Sequence, residues 1–563
     1  MDNSPKAFSR RQWLGRVSVP AATAVGASLV GLHARATPTN DKEDKNLAGA
    51  NVYNVRDFGA RGDGKTLDTA AVQSAIDKCF SEKGGTVLIP SGDFLCGTLE
   101  LKSNVTLHLS AQGRLLGSSR REDYSAGKGV PPSNGNIVFL YAVNADNVCL
   151  EGPGTVDGNG AAFYNGKGDN TGPGQGGVGG NFDRPHLFVF YQCNNLRLQY
   201  AFFTASAYHC CRILKCNRVH IDGIHIYNRV NKNNDGFHFN DCQYVHIINC
   251  DVQCQDDACA LFGTNKFVTV TNCSFSTRWS IFRFGGGASE NIAVSNCLIY
   301  DTYGCPIKIS AGRASIENFT FSNIIMKNVT GPIGIGFSGT SNNNNNPENT
   351  TRPFIRRVAF NGIRATVVKQ PLNHPDIPWD VNGREGEKNS CITLNAMGDY
   401  YLEDISLTDV HVKYAGGGTA EQAAKRDVPN VAAEYFGVWN KTPGGPPSYG
   451  LYARNVKGLS LHNVRFEYEE PDARPAVIFD NVRDASVVGL CVQGNPESEA
   501  VRLISCRDVL FSASRLLTPA ASFLSVEGAA SEGIAVNGSD IRKAAKPVIF
   551  RNGGIEKAVR LSV

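Results

Sequence analysis

Most of this chain lacks net charge. Its 563 residues hold 56 Lys and Arg against 52 Asp and Glu, a formal +4. That whole surplus lies in residues 1–36, where Lys6, Arg10, Arg11, Arg16 and Arg35 face one acid, Asp2. The remainder is neutral, which argues against nucleic acid as a partner, since binding it needs a basic face. Beyond residue 36 there is no run long and apolar enough to span a membrane. Metal-type cysteine pairs are missing too: the "CC" at Cys210–Cys211 has no C-x-x-C partner. No metal and no cofactor is expected.

The charged N-terminus reads as an export signal. "SRRQWLG" pairs Arg10 with Arg11 ahead of the apolar run "VSVPAATAVGASLVGL", and "ARA" offers small residues at Ala34 and Ala36 for cleavage. This is a twin-arginine arrangement. It predicts a mature start near Thr37, a linker over 37–50, and a periplasmic or secreted protein.

What the rest of the chain does have is repetition. "CNNLRL", "CNRVHI", "CQYVHI", "NKFVTV" and "SENIAV" are one phrase, anchored at Leu196, Val219, Val245, Val268 and Ile292, at intervals of 23, 26, 23 and 24. Asn249, Asn272 and Asn296 each precede a Cys (Cys250, Cys273, Cys297), 23 and 24 apart. Near the C-terminus the phrase returns at Leu459, Ala485, Val509 and Ile534, spaced 26, 24 and 25. A period near 24 with short alternating strands suits a coil of strands, each turn stacked about 4.8 Å above the last. The expected fold is all-β: a single right-handed parallel β-helix over residues 51–563, with no separate C-terminal module.

Of the 17 Cys, six (Cys193, Cys216, Cys242, Cys250, Cys273 and Cys297) fall on ladder positions and are expected to be buried, reduced thiols. Residues 51–118 are expected to form an N-terminal cap and the first turns. There Asp68 is a candidate N-cap for an amphipathic helix whose stripe is Val72, Ala75, Ile76, Cys79 and Phe80. Two aperiodic stretches, 165–183 and 338–390, read as loop insertions.

One column carries chemistry. Asp235 lies 21 and 22 residues before Asp256 and Asp257, about one turn of such a coil, so the three carboxylates share one face. The same stripe includes His186, His209, Trp279 and Lys308, flanked by Arg278 and Arg283. Carboxylates so close repel, and at least one should hold a proton near neutral pH. A protonated acid beside ionised ones is what glycosidic cleavage requires. The bland reading, Asp as bend caps, suits a lone Asp better than this cluster.

The chain resembles the family 28 glycoside hydrolases, which include polygalacturonases and rhamnogalacturonan hydrolases and share a pectin-lyase-like solenoid. The stretches that carry this are "YNVRDFGARGDGKTLDTAAVQSAID", "GTVDGNGAAFYNG", "RPHLFVFYQCNNLRL", "NNDGFHFNDCQYVHIINCDVQCQDDACAL" and "PSYGLYARNVKGLSLHNVRFEYEEPDARPAV", spanning roughly residues 51–490. The family's N-T-D is N-N-D here (Asn233, Asn234, Asp235), and its G-D-D is Q-D-D (Gln255, Asp256, Asp257). The resemblance implies Asp256 as general acid, with Asp235 and Asp257 activating water and inverting the anomeric carbon. Two motifs depart. Arg278, Trp279 and Ser280 stand where G-H-G is expected, and Pro306, Ile307 and Lys308 replace R-I-K. The candidate substrate contacts are Lys308, Trp279, Arg278, Arg283, His209 and Asn233. Either Arg278 or Arg283 would read a sugar carboxylate, or Trp279 would stack on a neutral ring.

Three functions fit the residues. The first is an inverting hydrolase of a plant-type, pectic poly- or oligosaccharide. The second is a polysaccharide lyase whose Asp cluster holds Ca²⁺. The third is a non-catalytic glycan-binding β-helix. Sequence leaves the oligomeric state open.

Overall fold

The computed structural model describes residues 51–131, 137–163, 184–312, 314–337, 352–377, 383–430 and 437–562. The signal and linker (1–50) and the Gly-rich stretch 165–183 lie outside the described residues.

The strands fall into two sheets, one of 28 strands and one of 15. Within them strands pair in parallel with the strand one coil earlier and one coil later, as in Asn194–Gln199 on Asn217–Asp222 and that strand on Gln243–Ile248. This is a right-handed parallel β-helix. The sequence ladder is a literal column: Leu196 pairs with Val219, then Val245, Val268 and Ile292. The column continues through Phe319, Val358 and Ile405 to Leu459, Ala485, Val509 and Ile534, joining the two halves that the sequence shows apart. Inward residues of this column are buried, so the bore is one continuous apolar core. Asn249, Asn272 and Asn296 take the left-handed conformation at the bends, with φ near 55°. Asn is among the few non-Gly residues that tolerate it.

All 17 cysteines are unpaired and 15 are buried, Cys149 and Cys491 being half-buried. The six ladder thiols are among the buried ones, where each serves as a small apolar side chain.

Three local expectations change. Asp68 stands at the start of the helix Thr69–Ser81, but its carboxylate makes no cap bond. It accepts the backbone N–H groups of Arg61 and Gly62 instead, both at 2.8 Å, and so ties down the preceding Gly-rich turn. Phe80 leaves the apolar stripe: it is 46% exposed, with the Lys102 ammonium over its ring. Segment 338–390 is not one loop, since Ile355–Val367 within it is a strand of the long sheet, paired on both sides. Among the described residues no helix is long and apolar enough to cross a membrane.

Candidate active site

The carboxylates sit in the turns that lead into the 15-stranded sheet. Asp235 precedes the strand Phe237–Asn240, and Asp256 and Asp257 precede Cys259–Gly263 on the next coil. Phe237 pairs with Cys259, so the two turns stack. Their contact is close: Gly236 donates its N–H to the Asp257 carbonyl at 3.0 Å, and a Cβ on Gly236 would lie 2.4 Å from the Ala258 oxygen. Only Gly lets the turns approach this far. Asn234, fully buried, sets the upper turn's shape. Its side-chain oxygen accepts the N–H groups of Val230 and Asn231, and its amide donates to the Ser206 and Tyr208 carbonyls.

The three carboxylates differ in depth and partners. Asp257 is buried and holds Arg283 by an ion pair of 2.9 Å, while accepting the Ser280 N–H at 3.2 Å. Asp235 is also buried. It accepts a hydrogen bond from His238 Nδ1 at 2.8 Å, and His209 Nε2 lies 3.8 Å from its other oxygen. Asp256 is half-buried; it accepts from the Asn233 amide at 3.3 Å and from the Asp257 N–H at 2.9 Å.

Burial and the Asp257 charge push Asp235 well above the usual carboxylate range, while Arg283, Arg212 and Arg184 pull it back. Asp256 is also pushed well up, first by burial, then by Asp235 and Asp257. The two titrate as a unit. More guanidinium groups act on Asp235 than on Asp256, which of the two favours the ionised form at Asp235. Burial drives His238 down to about 3, and drives His209 well below its ordinary value. Both rings are therefore neutral at pH 7.

A column of side chains on the sheet's outer face extends the site: Arg212, His238, Ala260, Arg283 and Lys308 are successive register partners. The small Ala260 leaves room between His238 and Arg283. Phe262 underlies both, 5.2 Å from the His238 ring and 4.8 Å from the Arg283 guanidinium. His186 meets His209 edge-on at 5.1 Å, and His209 stacks on His238 at 4.8 Å. Asn233 bridges Asp256 to the buried Arg184, whose Nη2 donates to it at 3.3 Å.

Residues 79–420 match the sequence profile of the glycosyl hydrolases family 28. The chain belongs to this family. It is therefore a glycoside hydrolase. It is 24% identical to an exopolygalacturonase of Zea mays over 420 residues, 71% of this chain and 93% of that one. A polygalacturonase of Persea americana is 28% identical over 327 residues, covering 55% and 67% of the two chains. The solved family 28 exopolygalacturonase of Yersinia enterocolitica shares the fold, with a TM-score of 0.55 and 20% identity over 77% of this chain and 78% of that one.

Against this family background, two sequence-derived contacts move. Trp279 is 6% exposed, with the guanidinium groups of Arg278 and Arg384 at 4.5 and 4.7 Å from its ring, so it does not offer a face to a sugar. Arg278 is completely buried and bonded to Glu387 at 2.9 Å, so it cannot read a ligand carboxylate. Arg283, His209 and Asn233 do gather around the carboxylates, and Lys308 stands one coil beyond Arg283 in register.

Sequence reasoning missed His238, Arg212 and Arg184. For His238 a signal exists: Phe237 and Phe239 alternate inward, which sends His238 out beside Asp235. Arg212 follows once His238 is placed, since it is the register partner 26 residues earlier. No local signal marks Arg184 or Glu387. His209, Asp235 and His238 bring potential ligand atoms within 4.8 Å of one another. Three guanidinium groups already act on Asp235 there, which opposes a cation.

Proposed function

We propose that the protein is an inverting glycoside hydrolase acting on an acidic, pectic poly- or oligosaccharide, with residues 51–563 as one catalytic solenoid. Asp256 donates the proton to the leaving oxygen. Asp235 and Asp257, fixed by His238 and Arg283, hold and activate the water. One observation carries this reading. Of three clustered carboxyls, Asp256 alone is half-buried rather than buried, and its surroundings favour the protonated form. Arg283 at the cluster, with Lys308 next in register, suits an anionic sugar, and the relatives named above are polygalacturonases.

In the inverting geometry the acid stands about 6.5–9.5 Å from the water-activating group. Nuclear magnetic resonance of the first-formed product should show an inverted anomeric centre; retention would overturn the roles of Asp235 and Asp257. Asp256→Asn should lower turnover about 10²–10⁴-fold with the fold intact. An unsaturated, ultraviolet-absorbing product would mark a lyase instead. We also propose that residues 1–36 direct export of the folded chain to the periplasm or medium.

A further inference from the structure

A column of left-handed residues runs along one corner of the long sheet. Asn104, Asn147 and Asn195 open it, with amide-to-amide hydrogen bonds of 2.8 Å between each and the next. Asn291 and Asn318 continue it four and five coils past Asn195's rung, joined by a bond of 3.1 Å. Between Asn195 and Asn291 the same position holds Arg218, Tyr244 and Phe267, at φ of 55°, 54° and 57°. Bulky side chains are disfavoured in this conformation, and none of the three can continue the amide ladder. Here a local rule is broken on three consecutive coils. Such strain persists where it serves a function.

Arg218 and Tyr244 border a groove, and Phe267 extends its wall by stacking on Tyr244. Tyr244 and Phe267 are 44% and 42% exposed and stack on each other, ring centres 5.0 Å apart and planes 7° apart. They form an apolar wall. The floor is a register column of Arg197, His220, His246 and Thr269. The groove has a volume of about 550 Å³ and is also lined by Asn195, Gln199 and Arg218. A smaller cleft of about 290 Å³ shares Asn195, Arg197 and Gln199 and extends the groove toward Asn147. Arg197 and Arg218 are exposed, and among the described residues no carboxylate is paired with either. Glu151, an acid in the cleft, is bonded to His108 at 3.2 Å.

All of this lies on the outside of the 28-stranded sheet, whereas the catalytic column lies on the 15-stranded one. We propose that the groove is a second, non-catalytic binding site for an acidic polysaccharide chain running across the coils. Arg197 and Arg218 pair with its carboxylates, Asn195 and Gln199 take its hydroxyls, and the ring wall covers its C–H faces. The site would hold the polymer while a neighbouring stretch occupies the catalytic cleft. It rests on the reading above for the polymer's class alone.

Restoring the ladder tests it. The variant Arg218→Asn, Tyr244→Asn, Phe267→Asn puts the favoured residue back at each rung. In an Asp256→Asn background, full-length protein is run through gels containing polygalacturonate or a neutral galactan. We expect the triple variant to bind polygalacturonate at least tenfold more weakly, with an unchanged or higher melting temperature. The galactan should retard neither protein. With Asp256 intact, the triple variant should hydrolyse short oligogalacturonides as fast as the parent. Equal retardation of triple variant and parent would overturn the proposal. So would weaker binding accompanied by a lower melting temperature, which would make the wall a structural staple. Retardation of the parent by galactan would overturn the acidic class. Failure of the catalytic reading shows separately, as absent turnover in the parent.

Discussion

Asp256 is a half-buried carboxyl beside two buried ones, and this position works against folding. A carboxyl whose folded pKa lies above its unfolded value binds its proton more tightly in the folded chain. Its contribution to stability is full below the unfolded pKa of about 3.9 and is lost as pH rises through the raised folded value. Near neutral pH the site therefore strains against charge repulsion. Asp256→Asn should be more stable than the parent by about 0.5–2 kcal/mol at pH 7. The gain should vanish below about pH 4, where the parent's carboxyl is protonated in both states. Chemical denaturation of both proteins across pH checks this; a pH-independent difference would mean that Asp256 is not perturbed by its neighbours. Activity should likewise fall as pH rises through the titration of the Asp235–Asp256 pair, because the acid loses its proton.

At the scale of elements, residues 368–377 and 383–391, between the strands Ile355–Val367 and Ile392–Asn395, strap the turns that carry the carboxylates. Asp376 pairs with Arg229 at 2.9 Å, and Glu387 reaches the buried Arg278. Arg278 adjoins the turn whose Thr277 hydroxyl donates to the Asp256 carbonyl and whose Ser280 N–H donates to Asp257. The Glu387–Arg278 ion pair thus anchors the turn that bonds to both residues. Glu387→Gln leaves a guanidinium buried without its counter-charge and should destabilise by about 3–5 kcal/mol. Replacing both partners (Arg278→Met with Glu387→Leu) should recover most of that stability but not kcat, since packing returns while the turn's anchor does not. Denaturation curves beside steady-state kinetics separate the two effects. Full recovery of kcat would reduce the strap to a stabilising role.

At the scale of the whole molecule, the thiols bear on how the protein reaches its place of action. Seventeen unpaired cysteines entering an oxidising compartment as an unfolded chain would form mixed disulfides. A β-helix completed beforehand has already buried 15 of them in its walls. Export in the folded state, which Arg10 and Arg11 predict, removes the conflict. Replacing both with Lys should leave the protein in the cytoplasm, folded and fully reduced. Cell fractionation with thiol counting checks it, and normal export of that variant would require another route.

Much of this was legible in the chain itself, because a β-helix writes its structure as a period. Each coil repeats the same inward and outward positions, so the spacing of Leu196, Val219 and Val245 places Asp235 over Asp256 and Asp257 by counting alone. The ladder thiols follow from the same arithmetic. The count fails where coils carry insertions. The steps from Ile292 through Phe319, Val358 and Ile405 to Leu459 are 27, 39, 47 and 54 residues, and only the strand register shows that they are consecutive rungs. Glu387, 109 residues from Arg278, arrives by such an insertion, so the spacing that puts Trp279 on the site's face does not reveal it as a buried plate between elements. Side-chain depth was hidden for a related reason. A period states which face a residue shares, but whether Asp256 meets water while Asp257 meets Arg283 depends on the neighbouring turn, and that is decided in three dimensions.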